Sequence, residues 1–347
     1  MIREDLAQIP TYVPGHHADH TLKLSSNEVA FGPLPGAAEA MAKAITTVNR
    51  YPDMGAEEIR ERLAEHLGLD AQQVAVGCGS SALCQQLVQI SAGPGDEVIF
   101  PWRSFEAYPI FVHVTGATPV AVPLKEGFND LDAMAAAITE NTRLIFVCNP
   151  NNPTGTLISQ DAFLAFMNKV PSNVLVALDE AYIEYVRAED TPLATELIHS
   201  YPNLIGLRTF SKAFGLAGIR IGYAFGSPSL IEALNKVALP FGVNAVAQAG
   251  AIASLENLDE LMERTEEVVL NRDRVAEHVG AGHSQTNFVW IPADSRPESP
   301  MDIAERLHNH DVIVRAFPEG VRITVTNSEE TDRLLTAWEA SFVIAAV

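Results

Sequence analysis

The residue with the clearest chemical potential is Lys212, in the run Thr209–Arg220, which gathers two hydroxyls (Thr209, Ser211), a lysine and Arg220 around Gly215 and Gly218. A lysine amine in an apolar setting is costly to keep charged, so its pKa falls and it becomes nucleophilic. That is what imine formation with an aldehyde requires. Ser211 and Arg220 can bind an anion beside it. A Ser-Lys pair alone would read as a surface loop; the full string is far more specific.

Three further segments carry chemistry. Val174–Tyr182 is an apolar run ending in Asp179. A carboxylate at the carboxyl end of a buried strand sits where open α/β sheets hold ligands, and it can keep a pyridinium nitrogen protonated. On its own Asp179 could equally cap a helix. Tyr182, three residues on, can donate to a ring phenolate. Cys148–Gly155 holds two Asn-Pro pairs and a glycine, enough for a tight loop from which Asn152 can reach the same oxygen, or for a turn without chemistry. In Gly77–Ser81 a strand-like run passes through glycines to Ser80 and Ser81 and then a helix. Backbone N–H groups at a helix start, with serine hydroxyls, form a phosphate seat. It lacks the lysine of a P-loop and the glycine spacing of a dinucleotide fold.

These segments need a scaffold. Strand-like runs cover Val74–Val76, Glu97–Phe100, Thr118–Val122, Arg143–Cys148, Val174–Leu178, Leu204–Thr209 and Ile221–Phe225, with helical patterns at Ser81–Ile90, Asp130–Ile138 and Asp161–Lys169 among them. Short apolar strands alternating with helices predict an α/β fold with a mostly parallel sheet covered on both faces. Beyond residue 240 the pattern predicts helices Asn244–Leu255 and Leu258–Val279, then a smaller α+β domain. The expected division is 1–40, a loop-like segment beside the smaller domain; 41–255, the large domain; and 256–347, the small domain.

Bulk properties narrow the function. The 347 residues carry 44 Asp and Glu against 23 Lys and Arg, a net charge of −21. Such a field disfavours nucleic acid and anionic membranes, so any bound phosphate or carboxylate must meet a local cluster of donors. No apolar run is long enough to span a membrane, and Met1–Asp5 lacks the apolar core of a signal peptide. Cys78, Cys84 and Cys148 lack metal-type spacing and are expected to be reduced thiols in a cytoplasmic protein. His16, His17 and His20 read as a solvated loop, and no metal is expected.

The four segments, in this order, resemble the pyridoxal 5'-phosphate (PLP) enzymes of the aspartate aminotransferase fold (fold type I), within them the histidinol-phosphate aminotransferase family of class II aminotransferases. Leu24–Glu28, Phe31–Pro33, Arg50–Asp53 and Val321–Val325 add to the likeness, which spans almost the whole chain. The resemblance implies that Lys212 carries the cofactor as an imine and then moves the substrate proton, and that Asp179 pairs with the ring nitrogen. It implies that Asn152 and Tyr182 bind the ring oxygen, that Ser80, Ser81, Thr209, Ser211 and Arg220 surround the phosphate, and that Phe105 stacks on the ring. It further implies a homodimer in which Tyr51 reaches the partner's site, and a substrate carboxylate gripped by Arg322 with help from Asn27. Two departures stand out: Ser80-Ser81 replaces a common Ala-Asp pair, and Phe105 replaces a common tyrosine.

Substrate choice rests on less. Trp102–Tyr108 is aromatic-rich, and Tyr12 can help cover the site. This string is similar to that of actinobacterial aromatic amino acid (phenylalanine) aminotransferases, which implies an aromatic donor with 2-oxoglutarate as acceptor. The alternatives are histidinol phosphate, whose phosphate Arg103 or an N-terminal residue could receive, a PLP-dependent decarboxylase, and, from a different class, an aminotransferase-like effector domain without catalysis.

Overall fold

The computed structural model describes residues 6, 7, 9 and 20–342. Twelve strands are recognised among them. Seven form the central sheet: β2 (Val74–Gly77), β3 (Glu97–Trp102), β4 (Thr118–Pro123), β5 (Thr142–Cys148), β6 (Leu175–Asp179), β7 (Leu204–Thr209) and β8 (Gly222–Gly226). Their order is β2-β8-β7-β6-β5-β3-β4, and β8 alone runs against its neighbours.

The apolar runs form buried strands because both sheet faces are covered. Ile145 and Val147 pack on one face while Leu144 and Phe146 pack on the other. Register then sets the carboxyl edge. Cys148 lies opposite Asp179, Thr209 opposite Gly222, and Gly222 opposite Gly77. The loops leaving these positions therefore share one rim.

The smaller part contains β9 (Phe288–Pro292), β11 (Arg315–Phe317) and β12 (Gly320–Thr324) as an antiparallel sheet in the order β11-β12-β9. A separate parallel pair joins β1 (Leu22–Lys23) to β10 (Val312–Ile313). The helix Leu258–Val279 links the two cores. Leu261, Val268 and Val269 belong to the large one, and Val275, Ala276 and Val279 to the small one.

The loop-like reading of residues up to 40 needs correcting. Pro35 begins a helix, Pro35–Ile45, that packs on the helix Ala245–Leu255. Proline suits a first helical position, where its missing N–H would have had no partner. Ala37 joins the large core, whereas Leu22 and Leu24 join the small one. Helices Glu57–Leu67, Tyr108–Thr115 and Pro228–Val237 complete the cover and were not expected.

Candidate active site

One cavity of about 450 Å³ opens at the carboxyl rim of the central sheet. It is lined by Lys212, Asp179, Tyr182, Asn152, Ser80, Ser81, Phe105, Thr209, Ser211, Arg220, Arg322 and Asn27, twelve of the positions singled out from the sequence. Tyr51 does not line it; it is exposed and stacks on Phe241 at 4.5 Å between ring centroids. Tyr12, His16 and His17 lie outside the described residues.

Lys212 follows β7 through a turn, and its Nζ donates to the Ser26 carbonyl at 3.2 Å. Burial pushes the amine down to about 7, and the Arg322 and Arg220 guanidinium groups act in the same direction against the carboxylates of Glu28 and Asp179. A fraction of it is therefore neutral at physiological pH.

Asp179 ends β6 and is buried. Burial raises its carboxyl to about 6, while hydrogen bonds from Tyr108 and the Ala181 N–H hold it lower than burial alone would. The Tyr108 hydroxyl donates to Oδ2 at 2.6 Å, and the Ala181 N–H to Oδ1 at 3.2 Å. Tyr108 stacks on Phe146 at 4.4 Å, so its ring belongs to the core beneath the cavity. Sequence reading had placed Tyr108 only in an aromatic-rich segment; its bond to Asp179 spans 71 positions and has no local signal.

One end of the rim is built from close approaches. Gly79, at φ +77°, precedes the helix Ser80–Ser91. A Cβ there would lie 2.4 Å from Arg220 Nη2. Across the rim, a Cβ on Gly222 would lie 2.4 Å from the Ser80 amide nitrogen. Arg220 Nη1 donates to Ser211 Oγ at 3.2 Å and to the Ala217 carbonyl at 2.9 Å. Helix amides, three serines, a threonine and a guanidinium thus converge, as an oxyanion requires.

The opposite wall comes from β12 and the Asn27 turn. Arg322 donates to Asn152 Oδ1 and to the Ser25 carbonyl, each at 2.6 Å. With Oδ1 so engaged, the Asn152 amide is oriented by Arg322. Asn27 Nδ2 donates to the Tyr182 hydroxyl at 2.8 Å, which leaves that hydroxyl its own proton to give. Asn27 is itself held by Thr324, whose Oγ1 accepts from the Asn27 N–H at 3.0 Å and donates to Oδ1 at 3.1 Å.

Glu106, Ile110, Phe111 and Arg315 also line the cavity and were missed. Arg103, the suggested phosphate donor, is not among the lining residues; its Nε and Nη2 make a forked pair with Glu319 at 3.0 and 2.9 Å. Among the described residues no cluster of three or more His, Cys, Asp or Glu is arranged for a metal, and no helix is long and apolar enough to cross a membrane.

A mostly parallel sheet carrying a half-buried lysine, a buried aspartate and converging amide, hydroxyl and guanidinium donors at its carboxyl rim is the architecture of the aspartate aminotransferase-like fold. The chain belongs to the family described as aminotransferase class I and II, whose model matches residues 19–337. It is 74% identical to an aromatic amino acid aminotransferase of Corynebacterium diphtheriae over 99% of this chain and 100% of that one. It is 52% identical to a Mycobacterium bovis protein of the same name over 96% of each chain. Among solved structures, a histidinol-phosphate aminotransferase from Sinorhizobium meliloti in complex with pyridoxal-5'-phosphate superposes with a TM-score of 0.86, at 31% identity over 92% of this chain and 90% of that one. An aspartate aminotransferase from Thermus thermophilus with maleate gives 0.80, at 25% identity over 93% and 92%.

Proposed function

We propose that this chain is a PLP-dependent aromatic amino acid aminotransferase that passes the amino group of phenylalanine or tyrosine to 2-oxoglutarate. The observation that carries the proposal is the sharing of one cavity by Lys212, Asp179 and Arg322. The relatives at 52–74% identity bear that activity in their names.

The residues present fit the cofactor. Asp179 is a buried carboxylate whose charge is destabilised by its surroundings, the condition a protonated ring nitrogen relieves. The glycines at 79 and 222 let Arg220 and the Ser80 amide approach more closely than any Cβ would allow, which brings together the donors a phosphate needs. Phe105 offers a ring face, and stacking needs no hydroxyl. Bound here, PLP supplies an electron sink for the substrate's Cα carbanion.

The chain's own groups do the rest. Lys212, neutral in part at pH 7, would hold the cofactor covalently and, once freed by substrate, would carry the proton to and from the substrate Cα; such transfer contributes about 10²–10⁴-fold. Asp179 would keep the ring nitrogen protonated. Tyr182, through its hydroxyl, and Asn152, through its amide N–H, would donate hydrogen bonds to the ring oxygen. Ser80, Ser81, Thr209, Ser211 and Arg220 would hold the phosphate. Arg322 grips the α-carboxylate, and Asn27 acts mainly by fixing Tyr182.

Histidinol phosphate is the less favoured donor, because Arg103 is committed to Glu319. The decisive experiment loads the purified protein with PLP and compares kcat/KM for phenylalanine, tyrosine and histidinol phosphate with 2-oxoglutarate, measuring released CO₂ in parallel. Preference for histidinol phosphate, or CO₂ in place of the 2-oxo acid, would overturn the proposal. We place the protein in the cytoplasm as a homodimer; exposed Val48, Tyr51, Met54 and Leu239 supply apolar surface for a second copy.

A further inference from the structure

Two ion pairs cross the cleft at the mouth of the cavity in opposite sense. Arg103 of the large-sheet loop pairs with Glu319 of the β11–β12 turn, and Glu106 of the same loop pairs with Arg315 of β11. Phe317 lies between them, with the Arg103 and Arg315 guanidinium carbons 5.4 and 5.5 Å from its ring centroid. Only the second pair faces the cavity, since Glu106 and Arg315 line it while Arg103 and Glu319 do not.

Arg315 lies directly opposite Arg322 in the antiparallel β11–β12 register. Directly paired residues share a face, and like charges so placed repel. The small sheet thus presents two guanidinium groups to one cavity, and Glu106 sets a carboxylate against the outer one, with Oε1 and Oε2 3.2 and 3.1 Å from Arg315 Nη2. Both side chains are partly exposed, so the pair can open without stranding a buried charge.

The proposed reaction asks one cavity to take two side chains of different charge. An aromatic ring suits the wall of Phe105, Ile110 and Phe111 and wants no unpaired cation nearby. A dicarboxylic acceptor carries a second carboxylate that needs one. Resting on the aminotransferase reading above, we propose that Glu106 is a resident carboxylate that determines specificity: it occupies Arg315 while an aromatic substrate is bound, and the distal carboxylate of a dicarboxylic substrate takes its place. The exchange swaps one carboxylate for another on the same guanidinium, so it avoids the cost of stripping a charge bare. The outer pair, Arg103–Glu319, keeps the hairpin docked throughout.

The test measures equilibrium binding to the PLP-loaded protein by calorimetry, with glutarate and 3-phenylpropanoate as non-reacting probes. Glu106→Gln is expected to tighten glutarate about 5- to 20-fold and to change 3-phenylpropanoate less than twofold. Arg315→Gln is expected to weaken glutarate at least about tenfold, again with little effect on the aromatic acid. Glu319→Gln, outside the cavity, serves as a control that leaves the ratio of the two affinities unchanged. Equal effects of Glu106→Gln on both probes, or none on glutarate, would overturn the assignment, and that variant alone decides the matter if Arg315→Gln fails to fold. The underlying reading fails by a different result: wild-type protein that does not transaminate phenylalanine with 2-oxoglutarate.

Discussion

The Tyr108 hydroxyl donates a 2.6 Å hydrogen bond to Oδ2 of Asp179, both groups being buried, Asp179 in the cavity wall and Tyr108 beneath it. The bond stabilises the carboxylate form against the pull of burial, which otherwise raises the carboxyl. A hydrogen bond to a charged group contributes about 1.5–3 kcal/mol, or roughly 1–2 pKa units. Tyr108→Phe keeps the ring stacked on Phe146 and removes only the donor. The carboxyl of Asp179 should then stay protonated to higher pH than about 6 in the cofactor-free protein, as read by its infrared C=O stretch. Cofactor affinity and kcat should both fall. An unchanged titration would show that the bond does not tune Asp179.

Lys212 makes the second prediction. With its amine at about 7, attachment of PLP to the cofactor-free protein should accelerate as pH rises through 7, because only the neutral amine attacks. Lys212→Ala should abolish both attachment and turnover. The same shift has a stability signature. A folded pKa near 7 against an ordinary 10.5 means the native state binds fewer protons than the unfolded chain between those values. Stability contributed by Lys212 therefore rises with pH across that window. Asp179, raised from 3.8 to about 6, works in reverse: its contribution falls as pH climbs from 4 to 6. Denaturant titrations of cofactor-free wild type, Lys212→Ala and Asp179→Asn should separate the two slopes.

The positions of Lys212, Asp179, Asn152 and Ser80 were legible because each follows a strand and is marked locally by glycine, proline or hydroxyl residues. Alternating elements also made the parallel sheet legible. Contacts between segments distant in sequence were not. Glu106 meets Arg315 across 209 positions and Arg103 meets Glu319 across 216, pairings set by how the β11–β12 hairpin docks on the large sheet. The same distance effect hid not Asn27 itself but its bond to Tyr182 across 155 positions, which forms because Thr324 of β12 and Asn287 hold the Asn27 backbone. The helix Pro35–Ile45 was obscured by its flanking prolines, one of which begins it.

The proposed phosphate cup gives a steric prediction. Gly79→Ala puts a methyl group where Arg220 Nη2 lies and adds strain at φ 77°, ψ 160°, a region essentially confined to glycine that costs other residues about 1–3 kcal/mol. The arginine must swing out of the cup, while the core beneath is untouched. Cofactor dissociation should increase about 10- to 100-fold with the melting temperature of the cofactor-free protein changed by only a few degrees. Equal cofactor affinity in the variant would show that Arg220 does not face the phosphate.

The exposed rings of Tyr51 and Phe241 lie near Leu239, which is 76% exposed, in a region also bearing Met54 at 65%. Large apolar side chains left so open are costly in a lone subunit and are used where another surface covers them. Burying a leucine contributes about 1.5–3 kcal/mol, and a C2 interface uses each such residue twice. Leu239→Asp should therefore shift the sedimentation equilibrium toward monomer by two or more orders of magnitude in Kd. Activity should fall with dilution in the variant and recover at high protein concentration. Tyr51→Phe tests the reach of the hydroxyl alone: it should leave assembly intact and weaken cofactor binding severalfold. A monomeric wild-type enzyme with full activity would remove both expectations together.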